Sequence, residues 1–159
     1  MIHKSYLVEE NVEILKSNLV LFYGENLGLI NDFKIKISRK NKKNKILKFN
    51  QDEILKNEKI FFKEINNKSL FESESKKVFF IDYVNDKFIK IIEQIFPLDN
   101  DNLIFLFSDI LEKKSKLRNF FEKKKEVDII PCYQDNEMTI KRIISEDLKN
   151  FNGLTKTIL

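Results

Sequence analysis

The residues whose types and spacing come nearest to handling phosphate lie between positions 24 and 31. An apolar run, Leu19–Tyr23, leads straight into Gly24-Glu25-Asn26-Leu27-Gly28 and then into a helical pattern. Strand, glycine turn and helix is the order in which a phosphate-binding loop is built. A working loop needs G-x-x-x-x-G-K-[ST]. Its glycines let backbone N–H groups curl around phosphates, its lysine neutralises the outer phosphates, and its hydroxyl holds magnesium. Counted from Gly24, those last three positions hold Leu29, Ile30 and Asn31. Gly28 comes one residue early, and Glu25 places negative charge where phosphate would sit. The first lysine is Lys34, about a turn further along the helix. The turn therefore reads either as a degenerate P-loop, with Gly24 and Gly28 its remnants, or as a plain strand–turn–helix connection. In both cases phosphoryl transfer lacks the positioned cations on which it relies. No catalytic residue, bound nucleotide or other cofactor is expected.

A second acidic candidate fares no better. The run Val78–Ile81 is followed by Asp82, where a magnesium-holding aspartate could stand, but Tyr83 occupies the place of the catalytic acid. Asp82 then reads as a strand-end turn residue. The single cysteine, Cys132, excludes an internal disulfide and a multi-cysteine zinc site. The single histidine, His3, is expected at a mobile terminus, so no His/Cys metal cluster and no Ser-His-Asp triad is expected.

The elements that must position these residues are legible in the apolar pattern. Five short runs read as strands: Leu19–Tyr23, Ile46–Phe49, Val78–Ile81, Leu103–Phe107 and Val127–Pro131. Most are continuous rather than alternating, as in parallel strands covered on both faces. Helical spacing joins Leu29, Ile30, Phe33 and Ile37, and then Ile54, Leu55, Phe61, Phe62 and Ile65 as one or two helices. It recurs over Phe88–Phe96, where Pro97 ends it, at Leu117, Phe120 and Phe121, and over Ile140–Leu148 with Asp135 or Asn136 as cap. Strand and helix alternate, which predicts right-handed crossovers. The expected class is α/β: a P-loop NTPase-like, three-layer α/β/α domain with a mostly parallel five-stranded sheet.

The bulk properties agree with one globular domain. The chain has 159 residues, of which 42% are hydrophobic and 34% charged. Apolar runs fall far short of a membrane span, and Glu9 and Glu10 stand where a signal peptide would be apolar, so a cytoplasmic protein is expected. The net charge of +4 permits contact with phosphate backbones without requiring it.

Four stretches together resemble the N-terminal domain of the delta subunit of bacterial DNA polymerase III. They are Tyr23–Ile30 (YGENLGLI), Asp52 through FFKEINNKSLF to Phe71, the VFFID strand, and Leu111–Glu137 (LEKKSKLRNFFEKKKEVDIIPCYQDNE). Their order is that of the family. The resemblance implies an AAA+-like domain over residues 1–145 that has given up ATP binding, with 146–159 a tail or the start of a missing lid domain. It implies a non-catalytic clamp-loader subunit of a DNA-directed DNA polymerase holoenzyme that binds and opens the sliding clamp during replication. Its partners would be the clamp (beta subunit), the gamma/tau and delta prime loader subunits, and primed DNA within the complex, with no membrane.

The resemblance further implies that Ser69, Leu70 and Phe71 form the clamp-contacting element. Leu70 and Phe71 stand inside a polar run, Lys68 to Lys77. Two apolar anchors in a pocket supply about 1.5–3 kcal/mol each when fully buried. The competing arrangement is that the pair ends a helix and packs inward, since adjacent helical positions do not share a face. Basic clusters occur at Arg39, Lys40, Lys42, Lys43 and Lys45, and at Lys113, Lys114, Lys116 and Arg118 with Lys123–Lys125 nearby. By the resemblance, Arg39, Lys40, Lys42, Lys43, Lys116 and Arg118 are candidate DNA-phosphate contacts; a solvated surface accounts for them otherwise. The alternative functions are a divergent P-loop NTPase and a small nucleic-acid-binding module.

Overall fold

A computed structural model describes residues 1–67, 76–98 and 101–135, together with residues 137, 140, 141, 144 and 145. Five strands form one sheet: β1 (Leu19–Tyr23), β2 (Lys45–Asn50), β3 (Lys77–Asp82), β4 (Leu103–Ser108) and β5 (Asp128–Pro131). Each coincides with an expected apolar run to within a residue at either end. The order across the sheet is β2-β3-β4-β1-β5, and every pairing is parallel. The expectation of a mostly parallel sheet thus becomes an all-parallel one. Inner strands are continuously buried, as their sequences require, whereas β2 at the edge is only partly covered.

Helices cover both faces. Helices α1 (Ser5–Glu10) and α2 (Leu27–Lys40) pack on one face through Val8, Ile30, Phe33 and Ile37, against Val20, Phe22, Phe80 and Phe107. Helices α3 (Gln51–Lys56), α4 (Glu58–Asn66), α5 (Ile89–Ile95) and α6 (Lys116–Lys123) cover the other. There Ile54, Phe61, Ile92 and Phe121 meet Leu21, Phe79 and Leu106. Phe61 anchors this second layer, with ring centroids 5.6 Å from Phe49, 6.0 Å from Phe79 and 6.5 Å from Phe88. Buried aromatics of this size contribute the largest single areas to a core.

The topology has one reversal. The chain leaves β1 over the α2 face and crosses to β2 at the far edge; it then returns over the opposite face through β3, β4 and β5. The carboxyl end of β1 is therefore a switch point, where open α/β sheets characteristically leave a crevice for ligands. The glycine turn occupies that place.

The N-terminal segment is fastened rather than mobile. Ile2 bridges Ile129 in parallel, and the His3 N–H donates to the Ile129 carbonyl at 3.0 Å. His3 Nε2 lies 2.8 Å from Asp128 Oδ1, and Asp128 Oδ2 accepts the N–H groups of Lys16 (3.2 Å) and Ser17 (3.1 Å). Burial by itself would raise the Asp128 pKa, but the bonds from His3 and Ser17 outweigh it and hold the carboxyl below its usual range. The expectation of a loose His3 fails because a buried acceptor far along the chain was invisible in the local sequence.

Candidate functional site

The turn after β1 is shaped by one glycine. Gly24 has φ 145°, a conformation that side chains rarely adopt, and a Cβ there would lie 2.0 Å from the Cys132 carbonyl oxygen. Its N–H points at the carbonyls of Ser108 and Asp109, both at 3.3 Å. Asn26 N–H donates to the Cys132 carbonyl (3.1 Å), and Leu27 N–H to Glu25 (3.0 Å). The Asn26 side chain caps α2 by accepting from Leu29 N–H at 3.0 Å, and its amide donates to Asp135 at 2.9 Å. Four N–H groups of the kind a phosphate loop would offer, on Gly24, Asn26, Leu27 and Leu29, thus already have protein partners. Gly28 is a different case: it sits in the first turn of α2, and a Cβ there would meet only the Asn26 Oδ1 at 3.4 Å.

The Asp82 carboxylate is also engaged. Lys34 Nζ, midway along α2, lies 2.5 Å from Asp82 Oδ1 and 4.5 Å from the Phe107 ring centroid. Both side chains are about a quarter exposed, at 28% each. Tyr83 follows at φ 60° and is 68% exposed, so Asp82 closes β3 directly before a strained turn. Cys132, whose carbonyl completes the glycine turn, is fully buried, and desolvation pushes its thiol up to about 12.

Ser69, Leu70 and Phe71 lie outside the described residues, but both flanks of their segment are placed. Helix α4 ends at Asn66, and Lys77 opens β3. The Lys77 side chain is buried; its ammonium donates to the carbonyls of Glu64 (2.8 Å) and Asn67 (2.9 Å) and lies 3.6 Å from the Glu64 carboxylate. A cation here satisfies the free carbonyls at the end of α4. Asn102 adds a bond from its amide to the Ile65 carbonyl at 2.9 Å. One side chain therefore ties together the last residue before the segment and the first residue of the strand after it. This anchor is at the amino end of β3, at the opposite end of the parallel strands from the glycine turn.

The basic candidates divide into two kinds. Arg39, Lys40, Lys42 and Lys43 are exposed at the end of α2 and in the turn behind it, and Lys40 alone of them has an ion pair in the described structure, 3.6 Å from Glu13. Lys116 is exposed at the start of α6. Arg118 is instead a packing residue. Its side chain is 15% exposed; it donates to Glu122 Oε1 (2.7 Å) and the Leu111 carbonyl (3.1 Å) and stacks 5.1 Å from the Tyr23 ring centroid. Burial and the Tyr133 hydroxyl, 3.4 Å away, raise the Tyr23 phenol well above its usual range.

Sequence reasoning missed Lys34, Lys77 and Asp128 as organising charges. The only local signal was a lone charge beside or inside an apolar run, as in Lys77-Val78-Phe79 and Val127-Asp128-Ile129. No family model matches this chain, and no curated protein matches it. Among the described residues, no helix is long and apolar enough to cross a membrane.

Proposed function

We propose that this chain is a non-catalytic subunit of the clamp-loader type, built on a P-loop NTPase-like scaffold whose phosphate loop has degenerated. The single observation that carries the reading is the glycine turn at the switch point, whose backbone donors are bonded to Glu25, Asn26, Cys132, Ser108 and Asp109. A ligand-binding crevice filled by its own chain suits a domain retained for shape. The neutralised Asp82 supports the same reading, since magnesium would have to displace Lys34.

In this reading the working element is the Ser69-Leu70-Phe71 tip, which docks into an apolar pocket on the sliding clamp. Its affinity comes from two large side chains, and the Lys77 anchor fixes the two flanks of its segment. Holding both flanks of a short segment reduces the ordering cost of binding. The experiment is a pull-down and calorimetric titration with the sliding clamp of the same organism. Micromolar or tighter binding is expected for the native chain, and none for Leu70→Ala/Phe71→Ala with an unchanged fold. Unfolding of that double variant would assign the two residues to the core and remove the docking role.

A further inference from the structure

A cavity of about 450 Å³ opens at the carboxyl ends of β2 and β3, separated by β4 from β1 and its glycine turn. Open α/β sheets hold ligands outside the carboxyl ends of their strands, and this volume suits a small molecule. Gln51 lines the cavity and is 3% exposed. Its Oε1 accepts the Asn85 N–H at 2.8 Å, which fixes the orientation of the carboxamide. The Nε2 end has no acceptor among the described residues, yet it is not sealed inside the core. A side chain so buried therefore presents its free donor to the cavity.

Other groups at this cavity are equally unengaged. Asp52, Lys56 and Lys87 line it, and none of them forms an ion pair in the described structure. Tyr83 stands beside them at φ 60° and 68% exposed, with no ring contact or hydrogen bond among the described residues. Ordinary structural roles explain part of the lining. Asn85 accepts the Lys87 N–H at 3.0 Å, and Glu53 accepts the Asn50 N–H at 2.9 Å where α3 begins. Neither role explains a large aromatic ring held in a left-handed conformation that glycine or asparagine adopts more readily. Strained residues of this kind collect at ligand sites.

We infer that this cavity binds a neutral polyhydroxylated ring, a hexose or a short saccharide. Two carboxylates, Asp52 and Glu53, share the lining with two ammoniums, Lys56 and Lys87, so neither a phosphate nor a simple cation gains net attraction. Gln51 offers a donor and Asp52 an acceptor, which hydroxyl groups match because each both donates and accepts. Tyr83 supplies the one large apolar surface of the lining, against which the C–H face of a sugar ring packs. A mostly apolar ligand finds no second wall there. This inference does not rest on the clamp-loader reading, and its test contains no clamp.

The test is isothermal titration of the intact chain with glucose, galactose, mannose and maltose, with glutamate and inorganic phosphate as the competing classes. At least one sugar is expected to bind at a single site with a dissociation constant of about 1 mM or tighter. Gln51→Glu keeps an oxygen for the Asn85 N–H but removes the donor, and is expected to weaken binding at least about tenfold. Tyr83→Gly carries the test where a carboxylate at the buried position 51 costs too much stability. It removes the ring and relieves the positive φ, so it is expected to raise the melting temperature while weakening binding at least about tenfold. A ring with a purely local structural role would leave the affinity unchanged. Three results would overturn the inference: no sugar of the set binding more tightly than about 10 mM, native affinity in the folded Tyr83→Gly variant, or glutamate or phosphate binding more tightly than every sugar.

Discussion

The ammonium of Lys34 and the carboxylate of Asp82 form an ion pair at 2.5 Å, joining the middle of α2 to the end of β3. Position 30, where a phosphate loop carries its lysine, holds isoleucine, and the first lysine along the helix neutralises the aspartate at the end of β3. Because both side chains are partly exposed, breaking the pair with Asp82→Asn should cost no more than about 1 kcal/mol. Magnesium with ATP should leave the native melting temperature unchanged. A melting temperature that climbs with ATP concentration would show a functioning nucleotide site.

The two glycines of the turn should respond in opposite ways. Gly24→Ala forces a side chain into a positive φ and against the Cys132 carbonyl, both set by backbone, so a loss of at least about 3 kcal/mol is expected. Gly28→Ala places a methyl group at ordinary contact in the first turn of α2 and should stabilise by up to about 1 kcal/mol. Urea unfolding of the two variants measures both. Equal tolerance at the two positions would mean that the close approach of Gly24 to Cys132 does not govern this turn.

Stability should fall in acid in a way that depends on Asp128. Its carboxyl pKa is lowered in the folded state, so its stabilising contribution is fully present above the unfolded value of about 3.9 and is lost as pH falls through the folded value. Asp86 acts with the same sign: burial opposes ionisation, but the Ser115 hydroxyl at 2.6 Å and the Leu117 N–H at 3.0 Å outweigh it. Asp128→Asn should cost about 2–3 kcal/mol at neutral pH, since it removes a buried charged acceptor of three bonds. It should also flatten the acid limb of a stability profile taken from pH 7 to pH 3. An unchanged limb would assign the acid sensitivity to other carboxylates.

Cys132 should be chemically silent in the native protein. A thiol raised to about 12 by burial carries almost no thiolate at neutral pH. Alkylation by iodoacetamide, followed by mass spectrometry, should proceed only on unfolding and accelerate with urea. Rapid labelling without denaturant would show that the turn around Gly24 and Cys132 opens readily.

The sheet was legible because buried parallel strands must be continuously apolar, and Leu19–Tyr23, Val78–Ile81 and Leu103–Phe107 satisfy that with local information alone. Helix α1 was not anticipated: its six residues bury only Val8, and no side chain caps it. What the loop lacks was readable from spacing, because the missing lysine and hydroxyl are local facts. The partners that fill it were not, since Cys132, Ser108 and Asp135 come from other strands and the chain beyond them. The same holds for Arg118, whose engagement with Tyr23 and Leu111 separates it from the exposed lysines that surround it in sequence.

The most direct measurement of the central claim is the affinity of the intact chain for the sliding clamp of the same organism, by isothermal titration. The account predicts a single site, with heat that vanishes for Leu70→Ala/Phe71→Ala while the melting temperature stays within a few degrees of the native value. No binding by the native chain, or full binding by a folded double variant, would contradict it.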